Sequence, residues 1–226
     1  MVRQELTNCY LHQPQNSFIS MFREESIWIK NALLKLRPVK GYNEVANIGS
    51  STDYFRKTVQ PHIHTNIINS LQNSGWRVLN IDMKNAAGVD IAADVTKIDF
   101  VNSFIDRFSL TICTNLLEHV ENIKLVTENL IAVTRSGGHI LVTVPYKYKR
   151  HLDPIDNGFR PTPQQIVDLF KDVAEYIVDS SIISIKDVDQ YKIKPSRFPV
   201  WGYRERLAYY FGKRHKTSGI LFSIKK

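Results

Sequence analysis

The chain has 226 residues, of which 43% are hydrophobic and 23% are charged. This composition is typical of one globular domain, or of a domain with an extension, and it excludes a largely disordered protein. No apolar run approaches the roughly 18 to 20 residues that cross a bilayer, and the N-terminus lacks the apolar stretch of a signal peptide. We therefore expect a cytoplasmic protein without a transmembrane segment.

The positive charge is concentrated at the C-terminus. The formal net charge is +8. Residues 1–185 hold 19 basic and 19 acidic side chains, whereas residues 186–226 hold 11 and 3. A neutral body with one cationic segment argues against a protein that binds nucleic acid over its whole surface.

The cysteine content argues against structural crosslinks. Cys9 and Cys113 are the two cysteines, which are too few for a disulfide framework. Neither lies in a Cys-x-x-Cys motif or a Cys/His cluster, so we expect no bound metal.

Short apolar runs alternate along the chain with segments of helical periodicity. An amphipathic helix over about 20–36 comes first, and it either packs on a sheet or serves as a lid. Strands are predicted at 44–48, 77–81, 110–114, 139–144, 181–186 and 219–225. Helices are predicted at 62–71, 123–133 and 164–170, the last behind Thr162-Pro163 as its cap and first position.

This alternation predicts the class of fold. Runs rich in β-branched residues are typical of strands buried on both faces of a parallel sheet, and strand-helix alternation indicates a doubly wound α/β sheet. We divide the chain into an N-terminal helical extension, 1–40, and a domain, 41–226. The domain carries a basic, aromatic insertion at about 187–217, before the last strand.

The candidate site residues follow the strands. Open parallel sheets bind ligands beyond the carboxyl ends of their strands. The residues at these ends are Gly49 and Ser50, then Asp82 and Met83, then Asp94 and Val95 after a short third run, and finally Asn115 and Leu116. The ordered set is more informative than any one member.

This series, with Glu118-His119-Val120 and the Gly137-Gly138 turn into the fifth strand, resembles class I S-adenosylmethionine-dependent methyltransferases of small-molecule type over roughly 44–170. The resemblance implies a Rossmann-like, mostly parallel seven-stranded sheet with helices on both faces, and S-adenosyl-L-methionine as cofactor. It also implies roles in binding this cofactor: Gly49 and Ser50 at the methionine end, Asp82 and Met83 at the ribose, Asp94 and Val95 at the adenine, and Asn115 and Leu116 below the sulfonium.

The first loop departs from the family pattern. The usual Gly-x-Gly-x-Gly appears as Gly49-Ser50-Ser51-Thr52-Asp53, and Pro61 interrupts the usual first helix. We expect the serines to replace glycines where φ stays negative, so that the cofactor still binds. The alternative is a non-catalytic binding module with a degenerate loop.

Methyl transfer from a sulfonium mainly requires that the acceptor be held near the methyl group and lose its proton. His119 and His151 are candidate bases, although His119 has the alternative role of a scaffold hydrogen bond. The loop 146–162 carries three candidate substrate-binding residues, unless its polarity only builds the loop: Asp153, Asp156 and Arg160.

The resemblance also bears on the acceptor. Similar loops in the family are associated with sugar and cell-surface polysaccharide metabolism, which implies O-methylation of a small-molecule or glycan acceptor that is hydroxylated or anionic. The aromatic and basic segment 198–216 offers contact with an anionic membrane surface, or with RNA in an RNA methyltransferase. Thr114-Asn115-Leu116-Leu117 replaces the Pro-Pro-aromatic element of many nucleic-acid enzymes, which favours the small acceptor.

Overall fold

The computed structural model describes residues 21–148, 150, 155–186 and 215–226. The strands are β1 (Glu44–Ile48), β2 (Arg77–Asp82), β3 (Ile91–Ala92), β4 (Phe108–Thr114), β5 (Thr134–Lys147), β6 (Ala174–Ser184) and β7 (Lys216–Ile224). The longer helices are α1 (Arg23–Leu33), α2 (Ile98–Phe104), α3 (Ile123–Val133) and α4 (Pro163–Asp168).

The seven strands form one sheet in the order β3-β2-β1-β4-β5-β7-β6. Strands β1 to β5 pair in parallel, and β7 runs antiparallel to both β5 and β6. The predicted doubly wound, mostly parallel sheet is therefore confirmed. We call the end of the sheet at which β1 to β5 finish the carboxyl edge.

Two apolar layers cover the sheet. On one face, α2, α3 and α4 pack over side chains such as Ile48, Val142 and Phe222. On the other face, α1 and the helical stretch before β2 pack over Val45, Ile112 and Leu221. Because both faces are covered, the inner strands β1, β4 and β7 are buried almost throughout, which explains their largely apolar composition, whereas the edge strand β6 is mostly exposed or half-buried.

The helix predicted at 62–71 is present but irregular. It consists of π-helical turns at Phe55–Val59 and His64–Ile68, with α-helical segments at Pro61–Ile63 and Asn69–Asn73. Gln60 leaves the helical region at φ −130° and ψ 70°, so the predicted interruption falls directly before Pro61. A proline is tolerated there because the first residues of a helix have no intrahelical partner for their N–H groups.

Several element boundaries differ from the sequence prediction, and β5 begins at Thr134 rather than at 139. Strand β6 begins at Ala174 rather than at 181, where its alternating polar residues hid the pattern. Helix α2 was not predicted, because it has only seven residues and its apolar Ile98 faces solvent. Thr162 is the N-cap of α4 as predicted, and it also forms a capping box with Gln165. No helix in the described ranges is long and apolar enough to cross a membrane.

Helix α1 packs against β6 and β7, and its closest approach is at a glycine. A Cβ added at Gly219 would lie 2.4 Å from ring carbon Cζ3 of Trp28. This distance is far below a van der Waals contact, so the helix can reach the strand only because residue 219 has no side chain.

We predict that Gly219→Ala lowers the free energy of unfolding by about 1 to 3 kcal/mol, because the new methyl group must displace the Trp28 ring. Urea denaturation measures the effect. Ser180→Ala, at an exposed position of the neighbouring β6 strand, is the control and should leave the midpoint nearly unchanged. Equal midpoints for the two variants would contradict this packing of α1.

Candidate active site

The loop after β1 closes tightly over the end of β2. Gly49 adopts φ +70°, and the N–H groups of Gly49 and Ser50 donate to the Ile81 carbonyl oxygen at 2.9 and 3.1 Å. A Cβ at Gly49 would lie 3.3 Å from Cδ1 of Leu116. Two residues predicted at the cofactor, Gly49 and Leu116, therefore meet at the carboxyl edge.

The reason given above for the serine replacements is wrong at one position. Ser51 has φ +57°, in the left-handed region where glycine is favoured. The loop holds this conformation through hydrogen bonds: Ser51 N–H donates to Asp82 Oδ2 at 2.7 Å, and Lys84 N–H donates to Asp82 Oδ1 at 3.0 Å. Asp82 thus anchors the loop, and each carboxylate oxygen keeps further acceptor capacity.

A buried arginine that the sequence analysis missed holds the same loop from below. Arg56 is 2% exposed, and its guanidinium donates to the carbonyl oxygens of Ser50 at 2.9 Å and Gly88 at 2.6 Å, and also to that of Ser51. It thereby ties the loop after β1 to the loop after β2. Its position between Phe55 and Lys57 in the sequence gives no sign of burial, because its partners are backbone atoms.

The residues predicted at the adenine lie in a turn after β3. Asp94 is partly buried, and its Oδ1 accepts from Thr96 N–H at 2.9 Å and from the Thr96 hydroxyl at 2.6 Å. Val95 is buried, and its carbonyl oxygen accepts from Asn129 at 2.6 Å. Met83 is 73% exposed at the end of β2, so its side chain is available to a ligand at this edge.

Asn115 connects β4, β5 and helix α1. It adopts φ +48°, its N–H donates to the Thr143 carbonyl oxygen at 2.9 Å, and its amide donates to Glu25 Oε1 at 2.8 Å. The Thr143 hydroxyl donates to the same Glu25 oxygen at 2.6 Å. Non-glycine residues in this conformation are often found at functional sites.

Glu25 was also missed by the sequence analysis. It is 1% exposed and lies on the buried face of α1, three residues after Phe22 and four before Ile29. A carboxylate at helical spacing within an apolar face is a recognisable sequence signal, because burying such a group is costly. The prediction of α1 used only the apolar residues of the helix, so the carboxylate among them was not singled out.

Two carboxyl groups at this edge have strongly shifted acidities. Burial raises the pKa of Glu25 to about 7, against the opposing effect of its bonds from Thr143 and Asn115. Burial, with the added charge of Glu25, raises the pKa of Glu118 to about 8. Glu118 lies in the 3₁₀ turn Leu117–His119 after β4, and its Oε2 has no hydrogen-bond partner among the described residues.

His119 is oriented by the segment that precedes α4. Its Nδ1 donates to the Ile155 carbonyl oxygen at 2.6 Å, and its Nε2 lies 3.8 Å from Glu118 Oε1. In the neutral ring this bond places the lone pair on Nε2. The scaffold hydrogen bond considered in the sequence analysis is present, and the role of His119 as a base stays a prediction.

The predicted substrate residues are brought together only in part. Arg160 donates to Asp156 Oδ2 at 2.6 Å, and Asp156 is 1% exposed. Asp156 also accepts from Gly158 N–H through Oδ1 at 2.9 Å. These contacts lie within the loop and hold its shape, and the substrate-binding roles of Asp156 and Arg160 stay predictions. His151 and Asp153 lie outside the described residues, so their roles stay predictions.

The ends of the basic segment lie at the carboxyl edge beside the start of α1. Lys186 N–H donates to Glu24 Oε1 at 2.6 Å, and the ring of His215 lies 4.5 Å from that of Tyr148, between centroids. The predicted insertion itself falls mostly outside the described residues. Within the described ranges, no group of three or more His, Cys, Asp or Glu residues could hold a metal ion.

Comparisons with known proteins give the class of fold. No protein-family model matches the chain, and no curated protein matches it. The chain is similar to the solved structure of the [4+2]-cyclase SpnF, with a TM-score of 0.56, 11% identity, and coverage of 93% of this chain and 86% of that one. A SAM-dependent methyltransferase from Archaeoglobus fulgidus gives a TM-score of 0.53 and 11% identity over 90% of this chain and 95% of that one.

A third similar structure is phosphoethanolamine N-methyltransferase 2 of Haemonchus contortus in complex with S-adenosyl-L-methionine. It gives a TM-score of 0.51 and 12% identity over 88% of this chain. The chain spans only 52% of the length of that protein. Together with the strand order, these similarities show that the chain has the Rossmann-like fold of class I S-adenosylmethionine-dependent methyltransferases.

We predict that Arg56→Lys lowers the free energy of unfolding by about 2 to 4 kcal/mol, because one ammonium group cannot serve three carbonyl oxygens in the geometry of a guanidinium. Chemical denaturation followed by circular dichroism measures the change. Lys57→Met is the matched control, since Lys57 is exposed and makes only a surface ion pair with Asp53 at 2.9 Å. A loss no larger than that of the control would refute a holding role for Arg56.

Proposed function

We propose that the protein binds S-adenosyl-L-methionine at the carboxyl edge and transfers its methyl group to a small-molecule or glycan acceptor, by O-methylation. The main observation behind the proposal is the hydrogen bond from Ser51 N–H, in the loop after β1, to the Asp82 carboxylate at the end of β2. A carboxylate at the end of β2 lies beside a loop whose Gly49 permits close approach of a ligand. A similar structure was solved with this cofactor bound, which supports the assignment.

The proposed cofactor site uses residues from four strand ends. Asp82 would accept the two ribose hydroxyls with its remaining lone pairs, with Met83 beside it. Asp94 and Val95 would read the adenine, and Gly49 and Ser50 would leave room for the methionine end. Asn115 and Leu116 would lie below the sulfonium. Leu116 lies close to Gly49, the residue proposed at the methionine end of the cofactor, since a Cβ added at Gly49 would be 3.3 Å from Leu116 Cδ1.

When bound, the cofactor supplies an activated methyl group on a positively charged sulfur. The chain's own task is then to orient the acceptor hydroxyl, to exclude water, and to accept the hydroxyl proton as the new carbon–oxygen bond forms. We assign the proton acceptor role to His119, because its bond to Ile155 orients the ring and leaves Nε2 as the basic atom. His151 stays a second candidate.

The acceptor assignment depends on the loop after β5. Asp156 and Arg160 form a buried ion pair that would shape the acceptor pocket, and Asp153 would extend it. The ends of the basic segment meet the same edge, so an anionic or hydroxylated acceptor fits the charge available there. Contact of this segment with an anionic membrane surface is a further proposal from the same charge.

One alternative follows from the loop after β1. Its left-handed Ser51 and single glycine favour a non-catalytic module that binds the cofactor without turnover. The fold also serves other chemistry, since one similar structure is a [4+2]-cyclase. RNA methylation, motivated by the basic C-terminus, is a second alternative, and salt-dependent retention of RNA would support it.

We predict that isothermal titration calorimetry detects binding of S-adenosyl-L-methionine, and that Asp82→Ala weakens this binding about tenfold or more. The expected size reflects the loss of hydrogen bonds to a charged group, at about 1.5 to 3 kcal/mol each. Asp99→Ala, at an exposed position of α2, is the control and should bind normally. Unchanged affinity in Asp82→Ala would exclude the proposed cofactor site.

We predict that incubation with methyl-labelled cofactor and a fractionated cell extract transfers label to a low-molecular-weight or glycan fraction. The label should be linked through oxygen, as mass spectrometry of the purified product determines. His119→Gln should reduce the transfer while leaving cofactor binding intact. Label in the RNA fraction would favour the RNA alternative, and binding without transfer to any fraction would favour the non-catalytic module.

A further inference from the structure

Two buried glutamates from different parts of the chain lie near each other at the carboxyl edge. Glu25 reaches the sheet from α1, and its Oε1 bonds to both Asn115 and Thr143. Thr143 pairs with Thr114 across β4 and β5, so Glu25 lies over the junction of these two strands. Glu118 follows Asn115 by three residues, in the turn that leaves β4.

Neither carboxyl group has a lysine or arginine partner in the part of the chain that the structure describes. The donors to Glu25 are all neutral: the Asn115 amide, the Thr143 hydroxyl and the backbone of Phe22. Glu118 is 1% exposed with an unpartnered Oε2, and its other oxygen lies 3.8 Å from His119. The nearby Arg160 is bonded to Asp156 at 2.6 Å.

This arrangement is costly for the protein without a ligand. An isolated charge in a buried site loses its hydration, and a second charge of the same sign adds repulsion. The two groups therefore retain a proton at a pH at which exposed glutamates have lost theirs. Burial raises the pKa of both, to about 7 for Glu25 and about 8 for Glu118.

A positive charge placed beside the pair would reverse this balance. It would stabilise the ionised carboxylates and lower the pKa values that burial has raised. Asn115, which is bonded to Glu25, lies in the loop that the proposed function places below the sulfonium. The sulfonium is a permanent cation, whereas the thioether that remains after methyl transfer is neutral.

We propose that Glu25 and Glu118 form a charge-sensing carboxyl pair, which releases a proton when the sulfonium of the cofactor occupies the site and takes a proton back when the neutral thioether remains. This inference rests on the proposed function. The pair would favour the cofactor that still carries its methyl group over the product. It would thus help product release without contacting the adenosine or the carboxylate that the two ligands share.

Other titratable or charged groups near the pair are alternative sources of the released proton. They are Arg23 and Glu24 on α1, Cys113 on β4, His119 beside Glu118, Tyr148 after β5, and the pair Asp156 and Arg160 before α4. Burial raises the pKa of Cys113 and of Tyr148, so both stay neutral near neutral pH. His119 is the neighbour that needs its own control.

The test is calorimetric titration of the full chain with S-adenosyl-L-methionine and with S-adenosyl-L-homocysteine, in buffers of different ionisation enthalpy at one pH near 7.5. The dependence of the observed heat on the buffer gives the protons released. We expect release with the sulfonium ligand and little with the thioether. The ratio of the two affinities should rise from about pH 6 to about pH 8, by tenfold for each unit by which the cation lowers the pKa of the pair.

Variants show which group releases the proton. Comparing each variant with the wild type also cancels the protons that the ligand itself gains or loses. Glu25→Gln and Glu118→Gln should bind the homocysteine ligand as the wild type does, which shows that the site is folded, and each should reduce the difference in proton release. Glu128→Gln, on the exposed face of α3, is the control and should keep the difference. Sinefungin, whose amine carries the charge, should also release a proton.

Three outcomes would overturn the proposal. Equal proton release with the two ligands excludes charge sensing while leaving the cofactor site intact. Loss of the difference in His119→Gln, with no change in either glutamate variant, assigns the proton to His119 instead. Failure of both ligands to bind removes the proposed function and this inference together.

Discussion

One buried guanidinium holds the carboxyl edge in shape. Arg56 donates to backbone carbonyl oxygens of the loop after β1 and of the loop after β2. In a loop with several glycines, the backbone can turn without support from side chains. Here only Gly49 provides that freedom, and Ser51 is held in a left-handed conformation by its bond to Asp82. Hydrogen bonds to side chains thus hold a left-handed backbone conformation that glycine would adopt at no steric cost.

This replacement has a physical consequence for the loop after β1, where we propose that the cofactor binds. A glycine-rich loop is flexible before it binds, and part of the binding free energy is spent in ordering it. A loop that is already bonded to Arg56 and Asp82 is ordered in advance. The same bonds also leave the backbone of the loop less freedom to adjust.

The second organising feature is the burial of carboxyl groups where α1 meets β4 and β5. Burial raises the pKa of Glu25 from 4.5, its value in the unfolded chain, to about 7 in the folded chain. As the pH rises from 4.5 through about 7, the unfolded chain loses this proton more readily than the folded chain, so the free energy of unfolding falls. A carboxyl group that lowers stability near neutral pH is more simply explained by function than by packing, since a hydrophobic residue would fill the position better.

The sheet was predictable because its information is local. Strands such as β1 and β4 are short, mainly apolar runs, and a residue directly after each parallel strand must lie at the same edge. The sequence therefore predicted the main part of the candidate site from the residues that follow the strands: Gly49, Asp82, Asp94 and Asn115. Helix α2 was too short and too exposed to show a period.

Arg56 and Glu25 were not predictable in the same way. The partners of Glu25 lie 90 and 118 residues further along the chain. The carbonyl oxygen of Gly88 lies 32 residues from Arg56. Such contacts depend on how loops approach one another in three dimensions, and the residue types alone suggest a surface ion pair. A carboxylate within the apolar face of α1 was the one local sign.

The antiparallel β7 strand places both described ends of the basic segment at the carboxyl edge. Strand β6 ends, and β7 begins, at the carboxyl edge, so the chain leaves the sheet and returns to it on the same side. The strands that supply the proposed cofactor residues, β1 to β4, occupy the other half of the sheet. Because the chain leaves and re-enters the sheet at one edge, we expect that the length or sequence between Lys186 and His215 can change without disturbing the half of the sheet formed by β1 to β4.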